Sequence, residues 1–274
     1  GRLYEGHKVV PYCPRDGTPL SSHEVAQGYQ DVKDASIYVR FPLVGADAAL
    51  LVWTTTPWTL PGNKAVAVNP SVSYVRARLD DETLIVAKDL AEKVLGEDAK
   101  ILEEVPGESL LGLHYKGPVF DLSDVEPGTY PVIAGDYVTT EDGTGIVHIA
   151  PPFGEDDYVV GAAAGIFDPT VAGTLYNPVR PDGTFDDRVI GFAGEFVKGS
   201  ETTRRLIAQL SDRGLLFREQ AYEHAYPHCW RCGTPLLYYA TSSWYVATSA
   251  ARDQLLANNE TIGWHPEHVK HGRF

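Results

Sequence analysis

Four threonine hydroxyls fall close together, at Thr54, Thr55, Thr56 and Thr59. An apolar strand over 49–53 leads into them, and two prolines in the same stretch remove backbone donors and fix φ. The pattern therefore predicts a rigid loop whose remaining N–H groups point outward, beside two tryptophans. Such a loop suits a small polar substrate. An edge turn, in which the threonines only satisfy nearby backbone groups, is the alternative interpretation.

A second stretch, residues 142–158, combines a Gly-rich turn, a short strand and a cluster of carboxylates. Strand alternation over 146–149 places Ile146 and His148 on one face and Val147 and Ile149 on the other. Two prolines end this strand. The carboxylates that follow, at 155–157, complement the dipole of a predicted helix, which is their simplest explanation.

The pattern Cys-x-Arg-x-Gly-Thr-Pro-Leu occurs twice, beginning at Cys13 and at Cys229. Two Cys-x-x-Cys turns far apart in sequence can close one structural zinc site, and here the first turn has Asp16 where the second has Cys232. Either the aspartate ligates zinc together with the three thiolates, or the site is vestigial and Asp16 is a turn residue. Both interpretations bring residues 13 and 229 together, so the middle of the chain is an insertion on a stalk.

Together, the threonine stretch and the run Ile-Val-His-Ile-Ala-Pro followed by Phe-Gly-Glu-Asp-Asp resemble the editing domain of isoleucyl-tRNA synthetases. This domain is a large insertion in the catalytic domain, and the resemblance covers essentially the whole chain. The valyl and leucyl enzymes share the threonines and the Gly-Thr-Gly turn, whereas the second run favours the isoleucyl branch. The resemblance implies hydrolysis of valine esterified to the 3′ end of tRNA(Ile), with isoleucine excluded by its size.

The same resemblance implies roles for particular residues. A carboxylate, Asp157, pairs with the α-ammonium of the substrate, while Thr59 and His148 form the walls that exclude isoleucine. Hydroxyls of the threonine loop hold the water and the terminal adenosine, and Trp58 packs on its ribose or base. The catalytic set is Thr55, Thr56 and Asp157, and the substrate-binding set is Thr54, Trp58, Thr59, His148, Ala150 and Asp157. His148 is also a chemically reasonable general base, although the wall is our preferred interpretation.

Composition limits the function classes. The chain has 274 residues, of which 43% are hydrophobic and 22% charged, as in an ordinary globular protein. Its net charge of −14 predicts no independent nucleic-acid-binding face, so tRNA binding must rely on the rest of the parent synthetase. No apolar run approaches the roughly 20 residues of a membrane span, and three cysteines fit a reducing cytoplasm. The absence of methionine and the start at Gly1 indicate an excised piece.

The pattern of elements predicts an α+β fold that is mainly β, with a barrel-like editing domain and peripheral helices. The editing domain is expected over 36–221, on a stalk made of 1–35 and 222–274 that carries the zinc-ribbon-like turns. Strands are predicted near 36–44, 64–68, 72–79, 83–86, 101–105, 119–122, 130–134, 146–149 and 215–219. Helices are predicted near 88–95, 155–164, 200–213 and 250–258, with Ser200 as the N-cap of the third.

Three other functions fit parts of the pattern. The first is an insertion that orients tRNA without hydrolysis, the second is the editing domain of a valyl-type enzyme, and the third is a free-standing deacylase. The complete set of threonine, histidine and aspartate residues argues against the first. No dinucleotide fingerprint, P-loop or nucleophile elbow is present in the sequence.

Overall fold

A computed structural model describes residues 2–118, 128–171 and 173–272. They form two compact units, one of Gly1–Lys8 with Thr241–Phe274 and the other of Val9–Ala240. The strands are β1 Leu3–Cys13, β2 Thr18–Pro19, β3 Tyr29–Pro42, β4 Ala49–Thr54, β5 Ala65–Val68, β6 Ser73–Leu79, β7 Glu82–Ala87, β8 Lys100–Pro106, β9 His114–Lys116, β10 Thr129–Ala134, β11 Ile146–Ile149, β12 Leu216–Pro227 and β13 Leu237–Val246. The α-helices are α1 Ser22–Ala26, α2 Ala91–Leu95, α3 Glu155–Ala163, α4 Ser200–Asp212, α5 Arg252–Glu260 and α6 His268–Gly272. Short 3₁₀ helices cover Pro57–Gly62, Lys88–Leu90, Gly107–Leu110 and Ser249–Ala251.

The strands assemble into three open sheets. The largest has the order β12-β3-β4-β7-β6-β8, the second β11-β5-β10-β9, and the third β13-β1-β2. A mainly β fold with peripheral helices is thus confirmed. The described residues contain no closed barrel, however, which corrects the barrel-like expectation: short strands at regular spacing are equally compatible with separate packed sheets.

The β4 strand that leads into the threonine loop is buried on both faces. Leu50, Leu51 and Val52 have no exposed surface, because β3 and β7 flank the strand and the second sheet packs on it. A strand that is covered on both faces reads as a continuous apolar run, as this one does. The end of β4 is therefore a fixed point from which the loop departs.

The loop itself is a 3₁₀ helix over Pro57–Gly62. Pro57 occupies its first turn, where a missing backbone donor costs little, and the Thr59 N–H donates to Thr56 O at 3.0 Å. All six residues of the helix are buried. The burial and internal bonding of the loop are compatible with the predicted rigidity, but its N–H groups are partly used internally and do not all point outward.

After the loop, β5 pairs with β11 in antiparallel register. Val66 lies opposite His148, and Ala65 lies opposite Ile149. This pairing brings the two sequence stretches together although more than eighty residues separate them. Alternation along β11 is as predicted, since Ile146 belongs to the main core and Ile149 to a smaller cluster beside it.

The Gly-Thr-Gly turn packs tightly against the largest sheet. Gly145 has a φ of +72°, and a Cβ there would lie 2.4 Å from the Cβ of Ala87. The hydroxyl of Tyr74 donates to Gly145 O at 2.8 Å. A larger residue at position 145 would both strain the backbone and collide with β7.

Other elements differ from the sequence prediction in detail. Gly199, not Ser200, is the N-cap of α4, and no side chain caps this helix. The predicted strand at 215–219 extends to Pro227, because it pairs with β3 as far as Tyr29. The predicted strand at 119–122 lies outside the described residues.

The predicted boundary between stalk and editing domain falls within the β3–β12 ladder, where Ala35 lies opposite Ala221. The division itself stays a prediction. None of the described helices is long and apolar enough to cross a membrane.

Candidate functional site

The threonines of the loop bond to one another and to their own backbone. Thr54 Oγ1 lies 3.3 Å from Thr56 Oγ1 and accepts from the Thr56 N–H at 3.1 Å. Thr56 Oγ1 lies 3.2 Å from Thr59 Oγ1, whose hydroxyl donates to Thr56 O at 2.8 Å. These bonds within the loop agree with the edge-turn interpretation.

A contact across the fold goes beyond that interpretation. Thr59 Oγ1 lies 2.8 Å from Nε2 of His148, a residue on a different strand. Both side chains are buried, with 5% and 7% of their surface exposed. The structure therefore places together the two residues that the resemblance names as walls, and joins them by a hydrogen bond.

The burial of His148 also decides its charge. Desolvation lowers the pKa of its imidazole to about 4, so the ring is neutral at neutral pH. A group with so low a pKa is a weak base at pH 7, which favours the wall interpretation over general-base catalysis.

Asp157 lies in the first turn of α3, and its carboxylate accepts from the Ala150 N–H at 2.8 Å. Burial, with a smaller contribution from the nearby Asp156, raises the pKa of this carboxyl to about 7 against the lowering effect of the bond from Ala150. Its neighbours Glu155 and Asp156 are exposed. The helix dipole explains the two exposed carboxylates, but it does not explain why the Asp157 carboxyl is held at the buried end of β11. A pKa shifted in this way marks Asp157 as a candidate functional group.

The remaining residues of the predicted site lie around this centre. Thr55 is half-buried, and Ala150 is buried below the loop. Trp58 is 4% exposed and packs edge-on against Phe153, with ring centroids 4.9 Å apart. Little of its indole faces outward in this conformation, and its contact with a ribose or base stays a prediction.

A cavity of about 260 Å³ lies beside the end of β4, lined by Trp53, Tyr137 and the Gly-Thr-Gly turn. Trp53 Nε1 and Tyr137 Oη are buried and have no hydrogen-bond partner in the described parts of the chain. Burial raises the pKa of Tyr137, and the charge of Asp157 adds to this, so the Tyr137 hydroxyl lies within electrostatic range of that carboxylate. Buried donors without partners are uncommon and indicate groups that a ligand can satisfy. No sequence motif points to Tyr137.

Asn63 and Tyr115 are also absent from the predicted site. Asn63 Nδ2 lies 3.4 Å from Nδ1 of His148, and the Tyr115 hydroxyl donates to Asn63 Oδ1 at 2.6 Å. In sequence Asn63 is only the turn residue after Gly62, and Tyr115 is one aromatic residue of a short strand.

A family model described as tRNA synthetases class I (I, L, M and V) matches residues 1–274. The chain belongs to this family. It is 50% identical to the isoleucine–tRNA ligase of Streptomyces coelicolor over all of the chain and 26% of that protein. It is 48% identical to the isoleucine–tRNA ligase of Thermus thermophilus, again over all of the chain and 26% of the relative.

The chain thus spans about a quarter of the length of these relatives. Among solved structures, GlLeuRS-CP1 has a TM-score of 0.54 and 17% identity, covering 68% of this chain and 99% of that one. This likeness shows a shared fold. The resemblance stated from the two sequence stretches is confirmed.

The repeated cysteine turns meet, as predicted. Potential ligand atoms of Cys13, Asp16, Cys229 and Cys232 all lie within 4.8 Å of one another. Cys13 Sγ is 3.5 Å from Cys232 Sγ, and Cys229 Sγ is 3.2 Å from an oxygen of Asp16. Three sulfurs and one carboxylate oxygen so close together form a donor set that can bind a metal ion.

Neutralising Asp157 should stabilise the protein at alkaline pH. Because the folded-state pKa of about 7 lies above the ordinary 3.8, wild-type stability falls as pH rises through this interval. Asp157→Asn keeps an acceptor for the Ala150 N–H but carries no charge. We expect it to be more stable than wild type by about 1–3 kcal/mol at pH 8, and by less at pH 5. Urea unfolding at both pH values measures this difference.

The exposed neighbour provides the control, since Asp156→Asn should shift stability little at either pH. Equal stability of wild type and Asp157→Asn at pH 8 would show that the carboxyl is not held in a desolvated position.

Proposed function

We propose that this chain is the editing part of an isoleucine–tRNA ligase and hydrolyses valine from the 3′ end of tRNA(Ile). The observation that carries this proposal is the half-buried Asp157 carboxyl, which accepts from the Ala150 N–H just after β11, the strand that carries His148 of the bonded Thr59–His148 pair. Identity to isoleucine–tRNA ligases over the whole chain favours tRNA(Ile) over the tRNA of a valyl-type enzyme.

Asp157 is suited to the α-ammonium of the amino acid. With a pKa near 7 the free carboxyl is partly protonated at neutral pH, and a bound cation favours its ionised form. The ammonium then compensates the charge that burial makes costly. The ionised Asp157 carboxylate is thus unfavourable in the free protein and becomes favourable when the substrate binds.

Positioning accounts for the hydrolysis. A water oxygen bonds to the ester carbonyl carbon, the bond to the ribose oxygen breaks, and that oxygen takes a proton, releasing valine and free tRNA. Hydroxyls of Thr55 and Thr56 hold the water and polarise the carbonyl. An aminoacyl ester is already activated, so no strong base is needed, in keeping with the weakly basic imidazole of His148.

The cavity next to Thr54 is a suitable place for the terminal nucleoside. Its unpartnered donors, Trp53 Nε1 and Tyr137 Oη, can bond to ring nitrogens or sugar oxygens. This assignment keeps the nucleoside close to the threonine loop, because Trp53 directly precedes Thr54.

Selection between amino acids rests on size. Isoleucine and valine differ by one methylene, the standard example of a pair that one binding step separates by only about 1–3 kcal/mol. Because Thr59 and His148 are bonded and buried, their positions are fixed, so the extra methylene cannot be accommodated by a small shift.

The partners follow from this function and from charge. A chain with a net charge of −14 gains little from phosphate contacts, so the rest of the synthetase supplies most of the tRNA affinity. The cytoplasm is the corresponding location. Zinc is the proposed occupant of the cluster of Cys13, Asp16, Cys229 and Cys232, where it would have a structural role.

Loss of the carboxylate tests the proposal directly. Asp157→Ala leaves the substrate ammonium unpaired in a confined site, at a cost of about 2–5 kcal/mol. We expect wild type to release valine from Val-tRNA(Ile) and the variant to be almost inactive while remaining folded. Deacylation of labelled Val-tRNA(Ile), in the full-length enzyme as well as the chain, is the assay. An inactive wild type in the full-length enzyme would favour the non-hydrolytic, tRNA-orienting role.

The size selection has its own test. Overpacking by one methylene costs roughly 1–3 kcal/mol, so removing a wall should admit isoleucine. Thr59→Ala, or His148→Ala, should therefore hydrolyse Ile-tRNA(Ile), which wild type spares, while Val-tRNA(Ile) hydrolysis changes less. Thr202→Ala, at a buried threonine elsewhere, is the matched control. An unchanged ratio of isoleucine to valine release in both wall variants would remove these residues from the selection.

Metal content tests the cysteine cluster. Elemental analysis of the purified protein should find close to one zinc per chain. Asp16→Cys should bind zinc more tightly, because thiolate is a softer ligand than carboxylate, and Cys229→Ser should lose it. A protein that takes up no zinc from excess, and is not stabilised by it, would show that the site is vestigial.

A further inference from the structure

A chain of hydrogen bonds leads from the core to the threonine loop. Tyr115 Oη lies 2.6 Å from Asn63 Oδ1, and Asn63 Nδ2 lies 3.4 Å from His148 Nδ1. On the other side of the ring, His148 Nε2 lies 2.8 Å from Thr59 Oγ1, which lies 2.8 Å from Thr56 O. The residues come from β9, the end of the 3₁₀ helix and β11, so only the tertiary fold brings them together.

The backbone carbonyl of Ala65 fixes the direction of the first half of this chain. It can only accept a hydrogen bond, so the atom of Asn63 that lies 2.9 Å from it is the amide nitrogen. The amide oxygen therefore faces Tyr115, whose hydroxyl donates. The second amide hydrogen points to His148 Nδ1, which must be the unprotonated nitrogen of the neutral ring.

The other half leads to the same conclusion independently. The carbonyl of Thr56 takes the hydroxyl proton of Thr59. Thr59 Oγ1 then has only lone pairs to offer His148, so the ring must donate from Nε2. Both halves require the Nε2–H tautomer.

We infer that Tyr115 is a positioning residue for the proposed hydrolysis: it fixes the Asn63 amide, which holds His148 as the Nε2–H tautomer and thereby fixes Thr59. This inference rests on the proposed function. The Tyr115 ring is fully buried and stacks on Phe41 with centroids 5.0 Å apart, so the core determines where its hydroxyl lies. Burial raises the pKa of Tyr115 well above its ordinary value, which keeps the donating proton in place.

The hydroxyl of Tyr115 has no other hydrogen-bond partner within the ranges that the structure describes. Removing it by Tyr115→Phe leaves the stacking ring and takes away only the donor to Asn63. Tyr226→Phe is a matched control, because its buried hydroxyl donates to a backbone carbonyl, Leu236 O, away from this network.

Nitrogen-15 NMR of the His148 ring tests the inference without any substrate. Wild type and Tyr226→Phe should show a single Nε2–H form at pH 7. In Tyr115→Phe the Asn63 amide keeps only its bond to Ala65 O, so its contact with the ring loosens and a minor Nδ1–H form should appear, with the Thr59 hydroxyl turned from Thr56 O to Nε2. Asn63→Asp should invert the ring to Nδ1–H, because a carboxylate can only accept. An Nδ1–H ring in wild type, or an unchanged single Nε2–H form in Tyr115→Phe, would overturn the inference.

Release of valine and isoleucine from tRNA(Ile) then connects the network to function. Tyr115→Phe should raise the ratio of isoleucine to valine release about tenfold and leave kcat and KM for Val-tRNA(Ile) within about twofold, because it loosens the wall but removes no substrate contact. Its melting temperature should match that of Tyr226→Phe, which should retain the wild-type ratio. If wild type is active and Tyr115→Phe retains the wild-type ratio, the inference fails and the proposed function stands. An inactive wild type counts against the proposed function alone, since the NMR result still decides the network.

Discussion

The hydrogen bond between Thr59 and His148 is the interaction on which the arrangement of the site depends. It ties the 3₁₀ helix after β4 to the strand β11, and both elements are already fixed by a buried sheet. Because a rigid loop and a rigid strand meet at this bond, each side chain can act as a wall. One residue beyond the end of β11, the backbone of Ala150 binds Asp157, so the carboxylate is placed by the same strand.

Burial shifts the two titratable groups of the site in opposite directions. It lowers the pKa of His148 to about 4 and raises that of Asp157 to about 7, and in both cases it favours the neutral form. A neutral histidine is a fixed donor in a hydrogen-bond network. An aspartate that is costly to ionise becomes favourable only when a cation joins it. Desolvation thus keeps His148 as a fixed neutral donor and makes the ionisation of Asp157 depend on a bound cation.

The net charge of −14 does not attract nucleic acid. The groups that can bind a ligand occur instead in two small clusters. Two unpartnered donors lie in the cavity beside β4, while three thiols and a carboxylate lie together at the cysteine turns. The cysteine cluster brings together residues more than two hundred positions apart, so a metal ion bound there would close a long loop of the chain.

The sequence alone determined the residue types of the site and the proximity of its two cysteine turns. A repeated eight-residue pattern and alternation along four residues are local signals, so positions 13 and 229, and the face occupied by His148, could be predicted. The rigidity of the loop followed from its prolines. Family resemblance supplied the roles of Thr59 and Asp157, which no spacing in the sequence reveals.

Only the tertiary structure decided which hydrogen bonds connect these residues. Asn63 and Tyr115 are 52 positions apart and carry no motif, because the bond between them depends on how β9 and β5 are placed around β10. Separate sheets, in place of a closed barrel, likewise depend on long-range strand order. The shifted pKa of Asp157 has the same origin: a carboxylate in a first helical turn is ordinarily solvated, and only its enclosure at the end of β11 removes that water.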